Sequence, residues 1–570
     1  CASVIICCLS VNALFSQTAY LTGVINHYAS VEAFDTSLCK NQIIVDTAYQ
    51  FSVGERVIIV QMKGAQIYLG NDSAFGTVLD YRNAGGYEIN YIWEIRGDTI
   101  VFANMLQKDY DINAAVQILN YPVYSSAMVI DTLTAMPWDG AKGGILAFEV
   151  TGDLFFNGVI DVTGKGFRGG RHSRGSVSCN HTDYFSKYIR NMAGKKGEGI
   201  ANYDILYEAG RGPLANGGGG GNNSNSGGGG GSNYGTGGRG GNQYILCGPL
   251  NVGGLGGRAI DYNNLSERIF LGGGGGGGQE NDDQGTCGAP GGGAVLIKAT
   301  RFLGNNKYII ADGADVDTVA GRDGAGGGGG GGSVLIYADT FMTPVTVQVN
   351  GGDGGNTNNS GYTNCHGTGA GGGGGVLWIN RNHLPANITL IANGGAAGII
   401  TNPNANCGVG STYGSTTGSP GGFAPGLLLP GMGNSPVYSC INGRPHALDD
   451  PVFAPVGYTI VIDVQANDTD PDGDPLKTRI WKHAVNGSSG VVNNDSIVYI
   501  PFPGFTGQDS IKYIICDDGL PALCDTATVY IRVDTNQPPT AVNDTFYLMV
   551  NTQAVIDVQQ NDFDPNMEIL

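Results

Sequence analysis

The sequence predicts an all-β chain, and three observations carry that expectation. Helix-length amphipathic periodicity is missing, while short β-branched runs bounded by turn residues recur throughout. Between residues 136 and 435 a glycine run, a short apolar strand, a connection and a second strand recur as one unit. Near the C-terminal end, residues 447–474 match 541–568 at a constant offset of 94, without gaps.

Composition fits this reading. Glycine occupies 98 of 570 positions, more than twice the usual share of about 7%. Only 14% of residues are charged and 41% are apolar, enough to build cores. The chain carries 30 basic and 49 acidic residues, a net −19, of which −12 falls after residue 440. That balance argues against a nucleic-acid partner, because phosphate binding needs clustered Lys and Arg. It suits hard cations instead.

Residues 1–17 read as the tail of a secretion signal, apolar from Val4 to Phe15, with Ser16-Gln17 as the cleavage point before Thr18. Residues 18–135 are expected to form a compact β domain, with runs such as Val57-Ile58-Ile59-Val60 and Thr99-Ile100-Val101-Phe102 as strands. Residues 136–435 are expected to form a glycine-rich parallel β-solenoid. Val295-Leu296-Ile297 pairs in the repeat with Ile309-Ile310, Val334-Leu335-Ile336 with Val347-Gln348-Val349, and Val376-Leu377-Trp378-Ile379 with Leu390-Ile391; the first strands recur at intervals of 39 and 42. No such unit can bury its strand faces alone, so stacking is required. Glycine at the corners permits φ > 0 and lets neighbouring coils approach. The runs 217–221, 227–231, 272–278, 326–332 and 371–375 exceed any turn's need. They predict extended three-fold glycine helices packed side by side through backbone hydrogen bonds.

Residues 443–535 are expected to be an immunoglobulin-like sandwich, and 541–570 the beginning of a second copy, with Pro538-Pro539 in the linker. The stretch Asp468-Thr469-Asp470-Pro471-Asp472-Gly473-Asp474 sets four carboxylates at alternate positions around a glycine bend. Calcium takes six to eight oxygen ligands, so Asp468, Asp470, Asp472 and Asp474 are the candidate calcium ligands. An EF-hand is ruled out: the twelfth position is Arg479 and no helices flank the loop. Nine cysteines follow the signal segment, and disulfides are the expectation in an oxidising compartment. Cys516 and Cys524 flank a turn and are placed to bridge a hairpin. His172, Cys179 and His181 read as a disulfide half and two surface histidines.

Two loops leave the repeat pattern, 165–215 and 356–369, and loops on a rigid scaffold commonly carry binding surfaces. Tyr184, Phe185 and Tyr362 are the candidate ligand contacts. Enzyme signatures are sparse: there is no G-x-S-x-G, H-E-x-x-H or G-x-x-x-x-G-K-[ST]. Asp312, Asp315, Asp317 and Asp323 form the acid-rich stretch of the glycine region and read as turn residues. No catalytic residue is assigned.

The segment 447–535, with its Asn-Asp-x-Asp-Pro-Asp-Gly-Asp stretch and paired cysteines, resembles the bacterial Ig-like or cadherin-like tandem repeats of large surface proteins. The segment from Pro137-Trp138-Asp139-Gly140 through Gly164 to Gly170 and Leu214 to Gly217 resembles the glycine-rich module of Bacteroidetes exoproteins of the gliding-motility or type IX secretion cargo type. These resemblances imply an adhesin-like stalk at the cell surface, exported through outer-membrane secretion machinery and stiffened by calcium. The expected function is therefore non-enzymatic attachment to a surface, glycan or protein; the alternative is a polysaccharide lyase or hydrolase on a β-solenoid scaffold.

Overall fold

The computed structural model describes residues 18–35, 40–175, 179–185, 192–202, 205–248, 250–430, 442–519, 522–548, 550 and 553–565. The proposed signal segment, Cys39, Cys440 and Asn566 lie outside them. Among the described residues the elements are strands and short 3-10 turns, and no helix is long and apolar enough to cross a membrane. The chain divides near residue 437 into two compact units.

The first unit opens with a closed antiparallel barrel of six strands: Tyr28–Phe34, Gln42–Val45, Thr99–Phe102, Tyr87–Arg96, Arg56–Gln61 and Val116–Asn120. The continuous run Val57-Ile58-Ile59-Val60 exists because this strand is buried on both faces. Val57 and Ile59 join Ile43, Ile100 and Ile118 inside the barrel, whereas Ile58 and Val60 face a second core holding Ile145, Phe167 and Phe270 from the glycine-rich region. An independent domain ending at 135 is therefore corrected. Ala19–Val24 and Ala127–Thr134 pair in parallel and join the main sheet, so the expected boundary falls inside a shared core.

That sheet is parallel and runs through Ile145–Phe156, Ala294–Ile310, Ser333–Gln348, Val376–Ile379 and Gly422–Ala424. Ala147, Leu296, Leu335 and Trp378 stand in register on one face, and Val295, Ile297, Val334 and Ile336 point to the other. Both faces are buried. In two of the repeats the expected strand pair is one long strand, Ala294–Ile310 or Ser333–Gln348, with the register slipping near Leu303. The anticipated connection is a bend in which Asn305 and Asn306 take positive φ.

The glycine runs fill the rest of the unit. In 272–278 the amides of Gly272, Gly275 and Gly278 donate to the carbonyls of Gly292, Ala289 and Thr286. Those of Gly273 and Gly276 donate to Ser232 and Gly229, and those of Gly274 and Gly277 to Glu198 and Lys195. Every third amide meets the same neighbour, as a helix with three residues per turn requires. Its carbonyls serve three further segments, accepting from Phe167 and Gly170, from Gly330 and Gly327, and from Gly218 and Gly221. One glycine helix thus bonds six neighbours.

None of the five runs holds a residue in the left-handed region, so positive φ is not why glycine is needed there. Close approach is. A Cβ on Gly276 would lie less than 3.0 Å from the Gly219 carbonyl oxygen. The insertion 165–215 is also corrected as a free loop, since Phe167, Gly170, Lys195 and Glu198 are struts of this bundle.

The second unit is a seven-strand sandwich. Asp450–Pro455, Cys524–Asp534, Gly507–Cys516 and Lys477–Lys482 form one sheet; Ile460–Asp463, Ser496–Pro501 and Gly487–Val492 form the other. Alternating residues such as Ile511, Tyr513 and Ile515 fill the core with Val529, Ile531 and Ile497. The 94-residue repeat extends to individual hydrogen bonds. The His446 amide donates to the Thr469 carbonyl, Leu448 to Asp468 Oδ1, and Asn467 Nδ2 to the Asp449 carbonyl. Thr540 donates likewise to Phe563, Val542 to Asp562 Oδ1, and Asn561 Nδ2 to the Asn543 carbonyl.

Candidate functional site

Two places gather polar groups that the fold alone does not require. The first is the acidic turn of the sandwich. Asp470, Asp472 and Asp474 bring carboxylate oxygens within 4.8 Å of one another. Asp470 Oδ1 accepts from the amides of Asp472 at 2.9 Å and Asp474 at 3.1 Å, which curls the loop, and Gly473 takes φ +77° at the bend. Asp470 Oδ2 is buried and has no protein partner. Burial first, then repulsion from Asp470, Asp518, Asp472 and Asp517, raises the Asp474 carboxyl above its ordinary range. Five carboxylates therefore act on one spot.

Asp468 is not one of them. Its Oδ1 accepts from the Leu448 amide at 2.8 Å and both of its oxygens accept from the Tyr513 hydroxyl, beside Asp450. Three of the four expected ligands converge; the fourth ties its turn to the Leu448 amide and to Tyr513 on the strand Gly507–Cys516. Asp517 and Asp518, which the sequence reading passed over, add to the repulsion on Asp474. The Cys516–Cys524 disulfide closes their turn with a Cα–Cα distance of 4.1 Å. Asp517 is 4% exposed, its Oδ1 accepting from Leu523 and Gly519 amides while Oδ2 has no partner. The adjacent cysteine was the available signal, because a pinned hairpin fixes whatever residue follows it. Oxygen donors of this number and charge fit a hard cation such as calcium.

The second place lies where the turns between glycine helices meet. The turn at Ser224-Asn225 follows the run 217–221, Asn281 follows 272–278, Arg322 precedes 326–332, and residues 359–366 precede 371–375. Together with Tyr244 they line a cleft of about 230 Å³. Two disulfides hold these turns, Cys179–Cys247 and Cys365–Cys407. The Ile245 amide donates to the Cys365 carbonyl, which links the two stapled loops directly. Tyr362 is 47% exposed, with the Arg322 guanidinium 4.4 Å from its ring centroid. Tyr244 meets His366 edge-on at 5.3 Å and accepts from Asn364 Nδ2. Burial pushes the His366 imidazole down to about 4, so the ring is neutral at pH 7.

Of the expected contacts, only Tyr362 belongs to this cleft. Phe185 stacks on Phe75 and meets Tyr207 at a tilt, and Tyr184 lies under Arg211, both packed against the main core. They are corrected to anchors of the insertion: the Tyr184 amide also donates to Asn71 Oδ1. The acid-rich stretch serves structure too. Asp323 is fully buried and accepts from the amides of Asn281, Asp282 and Gln284; Asp312 accepts from Gln348 Nε2 and the Asn350 amide. His172 pairs with Glu280, and Cys179 is in a disulfide with Cys247.

Residues 442–532 match the bacterial Ig domain family. No curated protein matches the chain. Among solved structures, a nucleoside hydrolase-related hypothetical protein from Saccharophagus degradans is 24% identical over 16% of this chain and 26% of its own, with a TM-score of 0.14. This chain thus spans about a quarter of that protein's length. Protocadherin gamma C5 EC1-3 is 15% identical over 22% and 40%, at 0.13. The Gp54 tailspike of Acinetobacter baumannii bacteriophage AP22, in complex with a capsular saccharide, is 10% identical over 85% and 81%, at 0.14. Similarity at these TM-scores carries no argument about fold or function.

Proposed function

We propose that this chain is a non-enzymatic extracellular binding protein, in which a rigid glycine-helix scaffold presents disulfide-stapled turns to a surface, a glycan or a protein. The observation that supports this reading most is the pair Cys179–Cys247 and Cys365–Cys407 at the turns between glycine helices. Disulfides persist in oxidising compartments, which favours a secreted chain at the cell surface. Stapling also removes the mobility that loops otherwise have, so the turns are held ready for contact. In this reading the strand pairs and glycine helices stack as a solenoid, and the Ig-like unit with its 94-residue repeat serves as a stalk. Export by a type IX pathway in a Bacteroidetes cell follows from the sequence resemblance.

Calcium belongs to the same proposal. Asp470, Asp472, Asp474, Asp517 and Asp518 would hold the ion at the end of the sandwich, neutralising carboxylates that otherwise repel. The test of function uses the whole chain, immobilised and offered cell surfaces and polysaccharide panels. Retention without new reducing ends or unsaturated sugars is the expected result. Release of such products would sink the reading in favour of a polysaccharide-active enzyme.

A further inference from the structure

The cleft between the glycine-helix turns holds more unpaired polar atoms than a structural turn cluster needs. Ser224 Oγ, Asn225 Oδ1, Asn281 Oδ1, Asn359 Oδ1 and His366 Nδ1 are all buried without a hydrogen-bond partner, and all five residues line the cleft. Ser224, Asn225, Asn359 and His366 are 2%, 5%, 6% and 4% exposed. A buried polar atom left unsatisfied destabilises the fold, so five in one place mark groups set aside for something that enters.

The chemistry of these atoms narrows what that is. The Asn225 amide nitrogen donates to the Arg322 carbonyl at 2.8 Å, and that of Asn359 to the Asn364 carbonyl. Both amide orientations are therefore fixed with Oδ1 left over as an acceptor. A neutral imidazole nitrogen and a serine hydroxyl can accept as well. The ligand must supply several O–H or N–H donors to a wall of acceptors. Beside that wall lies the half-exposed ring of Tyr362, a flat apolar face whose other contact is Arg322. At about 230 Å³ the cleft is smaller than the roughly 300–1,000 Å³ of drug-sized pockets, which suits one ring rather than a long chain.

We infer that this cleft is a saccharide subsite, in which the hydroxyls of one sugar residue donate to Asn225, Asn359 and His366 while its apolar face lies on Tyr362. The inference deepens the binding role proposed above and rests on it. An anionic peptide would be drawn to Arg322 but would bring acceptors to acceptors. A neutral sugar matches the donor demand.

The experiment prints neutral and uronic-acid-containing oligosaccharides on an array, probes it with the whole chain, and measures the best hit by calorimetry. The variants are Tyr362→Ala and Arg322→Gln, with Tyr184→Ala as a packing control outside the cleft. Binding to neutral oligosaccharides, at least tenfold weaker in Tyr362→Ala and unchanged in Tyr184→Ala, is the expected result. Tyr362 is half-exposed, so its loss leaves the core intact, and equal thermal melts of the variants would establish that. Saccharide binding that ignores Tyr362→Ala and Arg322→Gln would overturn the subsite while leaving the proposed function standing. Attachment of the chain to proteins or surfaces with a blank array would overturn it as well. No attachment to any offered surface would remove both readings.

Discussion

Replacing Gly276 with alanine tests whether the glycine runs are a packed core or a tether. The amide of Gly276 donates to Gly229 at 2.8 Å and its carbonyl accepts from Gly327 at 2.9 Å. A methyl group there would meet the carbonyl oxygen and carbon of Gly219 and the Gly220 nitrogen within 3.0 Å. Those atoms are backbone, held by hydrogen bonds of their own, and no side chain is present to swing aside. Overpacking a rigid core costs about 1–3 kcal/mol, and losing two hydrogen bonds adds about 1 kcal/mol each. The expected destabilisation is therefore about 3–5 kcal/mol. A flexible linker predicts the reverse, since Gly→Ala in an open segment stabilises by about 0.4–1 kcal/mol through the unfolded state. Gly97→Ala is the internal control: φ is +60° with nothing within 4 Å of the added methyl, so only left-handed strain of about 1–2 kcal/mol applies. Urea denaturation of the whole chain, followed at the first unit's transition, reads both. A Gly276→Ala midpoint at or above that of Gly97→Ala would refute the packing account.

Three further outcomes follow from the two sites. Calcium at 100 times its dissociation constant should add about 2.7 kcal/mol to the second unit and raise its melting temperature by roughly 10 °C or more; Asp470→Asn with Asp474→Asn should abolish the rise, and an unchanged melt with chelator would dismiss the ion. Removing Cys365–Cys407, which closes a 42-residue span, should destabilise the first unit by about 2–4 kcal/mol and make residues 400–413 sensitive to limited proteolysis, whereas unaltered cleavage would mean that the loop holds without its staple. Burial, opposed by the Tyr513 hydroxyl and assisted by Asp468 repulsion, pushes the Asp450 carboxyl up to about 6. The folded state then holds this proton more tightly than the unfolded chain, so the stability it confers is present below about pH 4 and is lost as pH rises through 6. Melts from pH 4 to 7.5 should show a decline in the native chain that is weaker in Asp450→Asn, and parallel profiles would contradict it.

The strands were legible because short apolar runs recur at a regular interval: Val295-Leu296-Ile297 and Val334-Leu335-Ile336 pair in register as their spacing implies. The sandwich was legible for a different reason, since a 94-residue repeat restates its own turns and carboxylates. The barrel's dependence on the glycine region was hidden, because Ile58 and Val60 read as strand residues whichever neighbour covers them. The cleft was half visible. Tyr362 stands in a loop that breaks the repeat, but Ser224, Asn225 and Asn281 look like ordinary turn residues until the bundle brings four turns to one end. Asp468 was misassigned because alternation along the chain cannot tell which carboxylate a tyrosine on another strand will claim.

A core assembled from peptide groups responds to temperature unlike one assembled from hydrocarbon. Apolar surface exposed on unfolding raises the heat capacity by about 0.45 cal/K/mol/Å², whereas polar surface lowers it by about 0.26. The glycine helices bury little besides amides and carbonyls, so their share of the unfolding heat capacity is small or negative. The stability curve of this unit is flatter than its apolar cores alone would give, and cooling, which weakens hydrophobic burial, takes little from the glycine helices. Such a scaffold keeps its turns in place across a broad span of ambient temperatures.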